Sequence, residues 1–212
     1  METSRKDLEL RLELINSFTH GVGILFGIIC LPFLVRNIDK NAPLLNVTGV
    51  IIYALCFLLV FISSTVYHGI QRSRIKEIWK IIDHVSIYFL IAGTYTPFIL
   101  IFVYNSFGLT LLVILWGLTL LGTIFKIFHT GRFEIFSTFI YLLMGWMLFA
   151  DSHTFFKNIP PTIVELIMAG GMLYSIGVVF YLWEKYKYHH VIWHVFVLAA
   201  AICHYTAVLL AI

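Results

Sequence analysis

The sequence predicts an all-α membrane protein of about seven transmembrane helices, with a cytoplasmic N-terminus and the C-terminus outside. Three observations predict it. Hydrophobic residues make up 60% of the 212 and charged residues 12%, whereas soluble globular chains carry about 25% charged and about 45–50% apolar residues. The apolar residues fall in runs near the roughly 20 residues that a helix needs to cross hydrocarbon. They lack the alternation of barrel strands, and in lipid every backbone amide must be satisfied within the structure. The mean hydropathy of +0.94 agrees. The positive residues, finally, sort to one side of those runs.

Spans are expected near 18–36, 45–68, 82–103, 107–128, 134–150, 163–183 and 191–211. The first follows METSRKDLELRLEL, which mixes both charge signs, and its apolar stretch is too long for a signal peptide and lacks a small-residue cleavage site. It is expected to stay. Asn105–Gly108 (NSFG) reads as a tight turn between the third and fourth spans. The fifth run is the shortest, bounded by Arg132 and Glu134 on one side and Asp151 on the other. Pro160 and Pro161 mark a loop, while Pro32 and Pro97 predict kinks. Cys30, Cys56 and Cys203 each lie inside an apolar run and read as buried thiols without a disulfide framework. No soluble domain fits, so residues 1–212 form one transmembrane domain.

Orientation follows from Lys and Arg, which cytoplasmic loops retain during insertion. With the N-terminus inside, Arg5, Lys6, Arg11, Arg72, Arg74, Lys76, Lys80, Lys126, Arg132, Lys185 and Lys187 face the cytoplasm, against Arg36, Lys40 and Lys157 outside. Seven spans keep this bias; a missed or false span would scatter it.

Ionisable groups at membrane spans are costly and are by default functional hypotheses. The second span ends in SSTVYH, placing Ser64 and His68 one turn apart on one face. The third begins on the same side with IDHVSIY, whose Asp83 is expected in the first turn, where a helix favours an anion. The seventh begins there with HHVIWH, so His190 and His194 form an i, i+4 pair. Three histidines from two helices can converge at one depth beside a carboxylate. That is the inventory of a metal site; zinc takes imidazole nitrogens at about 2.0–2.1 Å, and a catalytic zinc keeps three protein ligands and an open position for water. Asp83 reads as a fourth ligand or, preferably, as the base that holds a water; Ser64 orients a ligand or substrate.

Other polar residues carry blander readings beside the sharp ones. Histidine pairs also make ordinary interhelical hydrogen bonds, and His129, His153 and His189 are expected at headgroup level. In the first span Glu13, Asn16 and His20 recur along one stripe, which suits either a solvated helix start or a cluster bracing the metal site. His204 lies ten residues beyond His194, about 15 Å deeper, too far to share an ion. There is no nucleic-acid signature. Lipid is the expected partner, as substrate or ligand.

The ordered motifs ELINSFTH, SSTVYH, DHVSIYFLIAGTYTPF and HVIWHVFVLAAAICH resemble the hemolysin III family, the bacterial branch of the progestin and adipoQ receptor superfamily. The likeness covers nearly the whole chain. It implies seven helices with a cytoplasmic N-terminus, zinc held by His68, His190 and His194, the aspartate that positions a water at Asp83, and the motif serine at Ser64. The superfamily includes alkaline ceramidases, which hydrolyse a lipid amide. Fewer than twenty residues precede the first span, so the cytosolic extension of the animal receptors has no counterpart and a hormone-receptor role is not expected. Three functions follow as expectations: a zinc-dependent hydrolase of a lipid amide or ester, a membrane-homeostasis sensor, or the pore-forming cytolysin of the family's name. A chain apolar across seven spans, without an export signal, argues against the last.

Overall fold

A computed structural model describes residues 2–212, except the side chains of residues 2–5 and 73; Arg5, counted above among the cytoplasmic charges, is thus outside the described side chains. No strand occurs among the described residues. The chain forms α1 (Glu2–Asn37), α2 (Leu44–Gly69), α3 (Ser73–Phe102), α4 (Ser106–His129), α5 (Glu134–Gly145), a 3-10 turn (Met147–Asp151), α6 (Ser152–Phe156), α7 (Pro161–Leu182) and α8 (His189–Ala211). Six of these helices are long and apolar enough to cross a membrane. A seventh crossing exists only as the broken pair Glu134–Gly145 and Met147–Phe156, bent by 42°. Large apolar side chains such as Phe18, Leu25, Ile28, Val113, Leu120 and Val179 point outward from the bundle, as a lipid-facing surface requires.

The break in the fifth span has an identifiable cause. The Tyr95 hydroxyl of α3 donates to the Gly145 carbonyl at 2.7 Å and accepts from the Leu148 amide at 3.1 Å. A side chain thus takes over backbone groups that the interrupted ladder releases. Beyond the break, Asp151 caps the Thr154 amide at 3.0 Å.

Helix α3 is the centre of the bundle: 61% of its apolar window is buried, against 22% for α4. It packs on α2 and α4 and touches α5 and α8, while α1 lies between α2 and α8, and α7 packs along α8. The core is aromatic, with Tyr53, Phe57, Phe61, Tyr88 and Phe98 buried. Small residues let helices approach closely; a Cβ on Gly122 of α4 would come within 2.4 Å of the Tyr88 ring of α3.

Several boundaries differ from expectation. Helix α1 runs back to Glu2, because the charged segment before the apolar run continues the helix. Likewise α3 begins at Ser73, so Asp83 lies ten residues, about 15 Å, into the helix and outside the first turn, where the helix dipole acts. Ser106–Gly108 of the expected turn belong to α4, capped by the Asn105 side chain accepting from the Gly108 amide at 3.0 Å. Gly108 is required there, since a Cβ would meet the Val103 carbonyl at 1.9 Å. Pro161 starts α7 at the position where its missing N–H costs nothing, and Pro32 and Pro97 lie inside α1 and α3 without ending them. The three cysteines are free thiols.

Candidate metal centre

Antiparallel packing brings the end of α2 and the starts of α3 and α8 to the same end of the bundle as the first turns of α1. His68, His190 and His194 meet there, with ring centroids 5.1 Å apart for His68 and His190, 4.9 Å for His68 and His194, and 4.6 Å for His190 and His194. One ring nitrogen from each lies within 4.8 Å of the others, so the three could hold a metal ion. Tetrahedral coordination at about 2.0–2.1 Å sets ligand nitrogens about 3.3 Å apart, which small side-chain rotations reach.

The hydrogen bonds around the rings select the atoms that a cation would meet. Nδ1 of His68 lies 2.9 Å from the Glu13 carboxylate, which is also 2.9 Å from the Lys76 ammonium. A carboxylate only accepts, so Nδ1 carries the proton and the lone pair sits on Nε2. That Nε2 is buried without a partner. Nδ1 of His194 is directed at the Asn16 carbonyl at 3.3 Å, which leaves its Nε2 as the lone-pair nitrogen too. A buried imidazole held by a carboxylate, with its other nitrogen orphaned, is the arrangement that metal-binding histidines use. The residues present therefore fit a metal ion.

The structure places the other expected site residues as follows. Glu13 and Asn16 touch the histidines through the bonds just given, and His20 stacks on His194 with centroids 3.8 Å apart. His20 is buried, and neither of its ring nitrogens has a partner. Ser64 and Asp83 line the wall of a cavity with His190 and His194. The set of nitrogens within 4.8 Å is made by the histidines without Asp83, among the described residues. Away from the cluster, His129 stacks on Phe125 and His189 approaches the Tyr181 carbonyl at 3.2 Å. His204 bonds another helix, with Nε2 3.2 Å from the Ile167 carbonyl of α7.

Two features of this end escaped sequence reasoning. Lys126, expected to face the cytoplasm, has a side chain that is 0% exposed and pairs with Glu134 at 2.7 Å. Its charge reads as an interfacial lysine until the α4–α5 turn, with Gly131 at φ +80° and Phe133 at φ 56°, folds Glu134 back onto it. His84 sits between the Lys80 carbonyl, 2.7 Å from Nδ1, and Glu134, 3.7 Å from Nε2. Its signal was adjacency to Asp83, which puts it on the neighbouring face of α3.

The cavity has a volume of about 530 Å³. Besides His190 and His194 its lining includes Ile91, Tyr95, Phe98, Tyr174 and His204. Its walls are mainly apolar, with the charged groups Lys80, Asp83 and Glu134 lining it together with His190 and His194, and with Tyr174 and His204 among its other polar groups. A smaller pocket, of about 280 Å³, lies on the other side of His68 and His190 and is lined by Glu9, Glu13 and Lys187 among others. Of the three histidines, His190 lines both pockets, His194 the larger and His68 the smaller.

The family model described as "Haemolysin-III related" matches residues 8–205. The chain is 41% identical over 200 residues to the "Hemolysin-3 homolog" of Bacillus subtilis (strain 168), covering 94% of each. It is 39% identical over 189 residues to the "Hemolysin-3" of Bacillus cereus, covering 89% of this chain and 86% of that one. The human "Monocyte to macrophage differentiation factor" is 28% identical over 199 residues, covering 91% of this chain and 81% of that protein. On this match of family model and relatives, over nearly its whole length, the chain is a multi-pass membrane protein that belongs to the hemolysin III family, within the progestin and adipoQ receptor superfamily.

Proposed function

We propose that the protein is a zinc-dependent hydrolase of a lipid amide or ester, seated in the cytoplasmic membrane with its N-terminus and histidine cluster on the cytoplasmic side. The observation that carries this reading is a cluster of three convergent imidazoles, two of which, His190 and His194, line a mainly apolar chamber large enough for a lipid chain. Three histidines match the protein ligand set of an open catalytic zinc site. Bound there, zinc would supply Lewis acidity toward a carbonyl oxygen and lower the pKa of a water.

The chain's own residues do the rest. Glu13 fixes the His68 ring and its tautomer, and the Asn16 carbonyl does the same for His194. Asp83, on the cavity wall, takes the proton of the attacking water and passes it to the leaving nitrogen or oxygen. Ser64, on the same cavity wall, aims that carboxylate. The apolar walls receive the lipid chain and exclude bulk water.

The first test is metal analysis of detergent-purified protein. About one zinc per chain is expected, lost in the His190→Ala/His194→Ala double variant at matched folding by circular dichroism. His190→Ala and Asp83→Asn should each abolish hydrolysis of a ceramide-like substrate while the protein stays folded; unchanged turnover in either overturns the enzyme reading. The names of the two Bacillus relatives support a second reading, a pore-forming cytolysin. Haemolysis by purified protein at low dose, blocked by osmotic protectants of defined size, would favour it over the hydrolase. A membrane-homeostasis sensor predicts instead a deletion phenotype in the cold or under altered fatty-acid supply, without turnover.

A further inference from the structure

A chamber built for a plain hydrocarbon tail would be apolar beyond its metal end, and this one is not. His204 lies ten residues after His194 on α8, about 15 Å farther from the metal end, and lines the cavity there together with Tyr174 of α7. Both side chains belong to membrane-spanning helices, where an unpaired polar group has no water to turn to. The Tyr174 hydroxyl is buried without a hydrogen-bond partner. Nε2 of His204 lies 3.2 Å from the Ile167 carbonyl, and because a carbonyl only accepts, that nitrogen carries the proton. Nδ1 is then an acceptor. Gly170 holds the ring in place: a Cβ there would stand 2.3 Å from Nε2, so only glycine lets His204 lie this close to α7.

A donor and an acceptor thus line the cavity on neighbouring side chains, with ring centroids 5.6 Å apart. A ketone or ester oxygen would satisfy the tyrosine only, and a methyl-terminated chain would satisfy neither. A hydroxyl accepts from Tyr174 and donates to His204, completing both. We propose that Tyr174 and His204 form a second polar subsite that binds a hydroxyl group carried partway along the lipid chain, so that the preferred lipid is a hydroxylated acyl amide or ester. This rests on the reading of the cavity as the lipid chamber.

The test uses the full chain in detergent and the acids that such a hydrolysis would release. Binding of 12-hydroxystearate and of stearate is compared by competition against a fluorescent fatty acid. The hydroxylated acid is expected to bind at least about tenfold tighter, since sites built to bond a hydroxyl strongly reject analogues lacking it. Tyr174→Phe, which keeps the ring and the cavity's shape, should erase the preference, weakening the hydroxylated acid and tightening stearate, which no longer buries an unpaired hydroxyl. Equal affinity of the two acids for the wild type means that an ordered water fills the pair, and overturns the proposal; so does a preference that survives Tyr174→Phe. Because the readout is binding, the outcome separates from the enzyme reading. A preference without turnover of any ceramide-like substrate leaves the subsite standing and removes the hydrolase, whereas turnover with no preference does the reverse.

Discussion

Glu13 offers the sharpest test of the metal centre, because its carboxylate is shared between two partners of opposite consequence. It accepts from His68 at 2.9 Å and from Lys76 at 2.9 Å. Removing the carboxylate partner of a metal-binding histidine typically weakens the metal about 10–100-fold, or about 1.4–2.7 kcal/mol. Glu13 is 29% exposed, so water replaces part of what is lost, and Glu13→Ala is expected near the middle of that range, about 30-fold. Glu13→Gln keeps a carbonyl acceptor for Nδ1 but loses the charge, and should cost about fivefold. Lys76→Met moves the other way, since the ammonium draws on the same oxygen; with it gone, His68 becomes the better donor of electron density and zinc binds equally well or about twofold tighter. The assay is competition with a fluorescent zinc chelator on detergent-purified protein, with circular dichroism confirming the fold. Zinc affinity within twofold of wild type in Glu13→Ala, alongside loss of zinc in His68→Ala, would refute the argument that Glu13 sets the ring.

Three further outcomes concern the frame around the site, each read by thermal unfolding in detergent. Tyr95→Phe leaves the Gly145 carbonyl and the buried Leu148 amide unpaired at the broken span and should cost about 1–3 kcal/mol. Lys126→Met strips Glu134 of its main partner; because the carboxylate is 28% exposed and keeps the Gly131 amide, the cost should fall below that of a fully buried pair, at about 1–2 kcal/mol. Adding Glu134→Gln should restore most of it, and a double variant no better than the single would count against the pair. Gly170→Ala drives a methyl into the His204 ring and should destabilise by about 1–3 kcal/mol, as overpacked contacts do.

Much of this architecture was legible in the sequence because lipid imposes a simple rule: long apolar runs become helices. His68, His190 and His194 were found by the same logic, since alternating direction puts the end of the second span and the start of the last at one level. What escaped was whatever depended on helix extent or on a turn. Asp83 lies three turns into α3 because Ser73–Lys80, polar enough to pass for a loop, winds into the helix ahead of the apolar run. The break after Gly145 has no local breaker of its own; it depends on Tyr95, fifty residues earlier. Lys126 could be seen as buried only once the glycine turn had delivered Glu134 to it. His20 stacks on His194 across 174 positions of sequence, a contact that no periodicity within α1 contains.

That last contact has a consequence for biogenesis. The first helix supplies Glu13, Asn16 and His20 and the last supplies His190 and His194, so the site closes only between the opening and closing stretches of translation. A nascent chain halted before α8 presents His68 alone, and one imidazole holds a cation poorly. An ion held by all three histidines would therefore enter only after the final span docks on α1, and would lock the helices from that moment. Metal loading would then double as a seal on completed insertion, setting finished molecules apart from truncated ones.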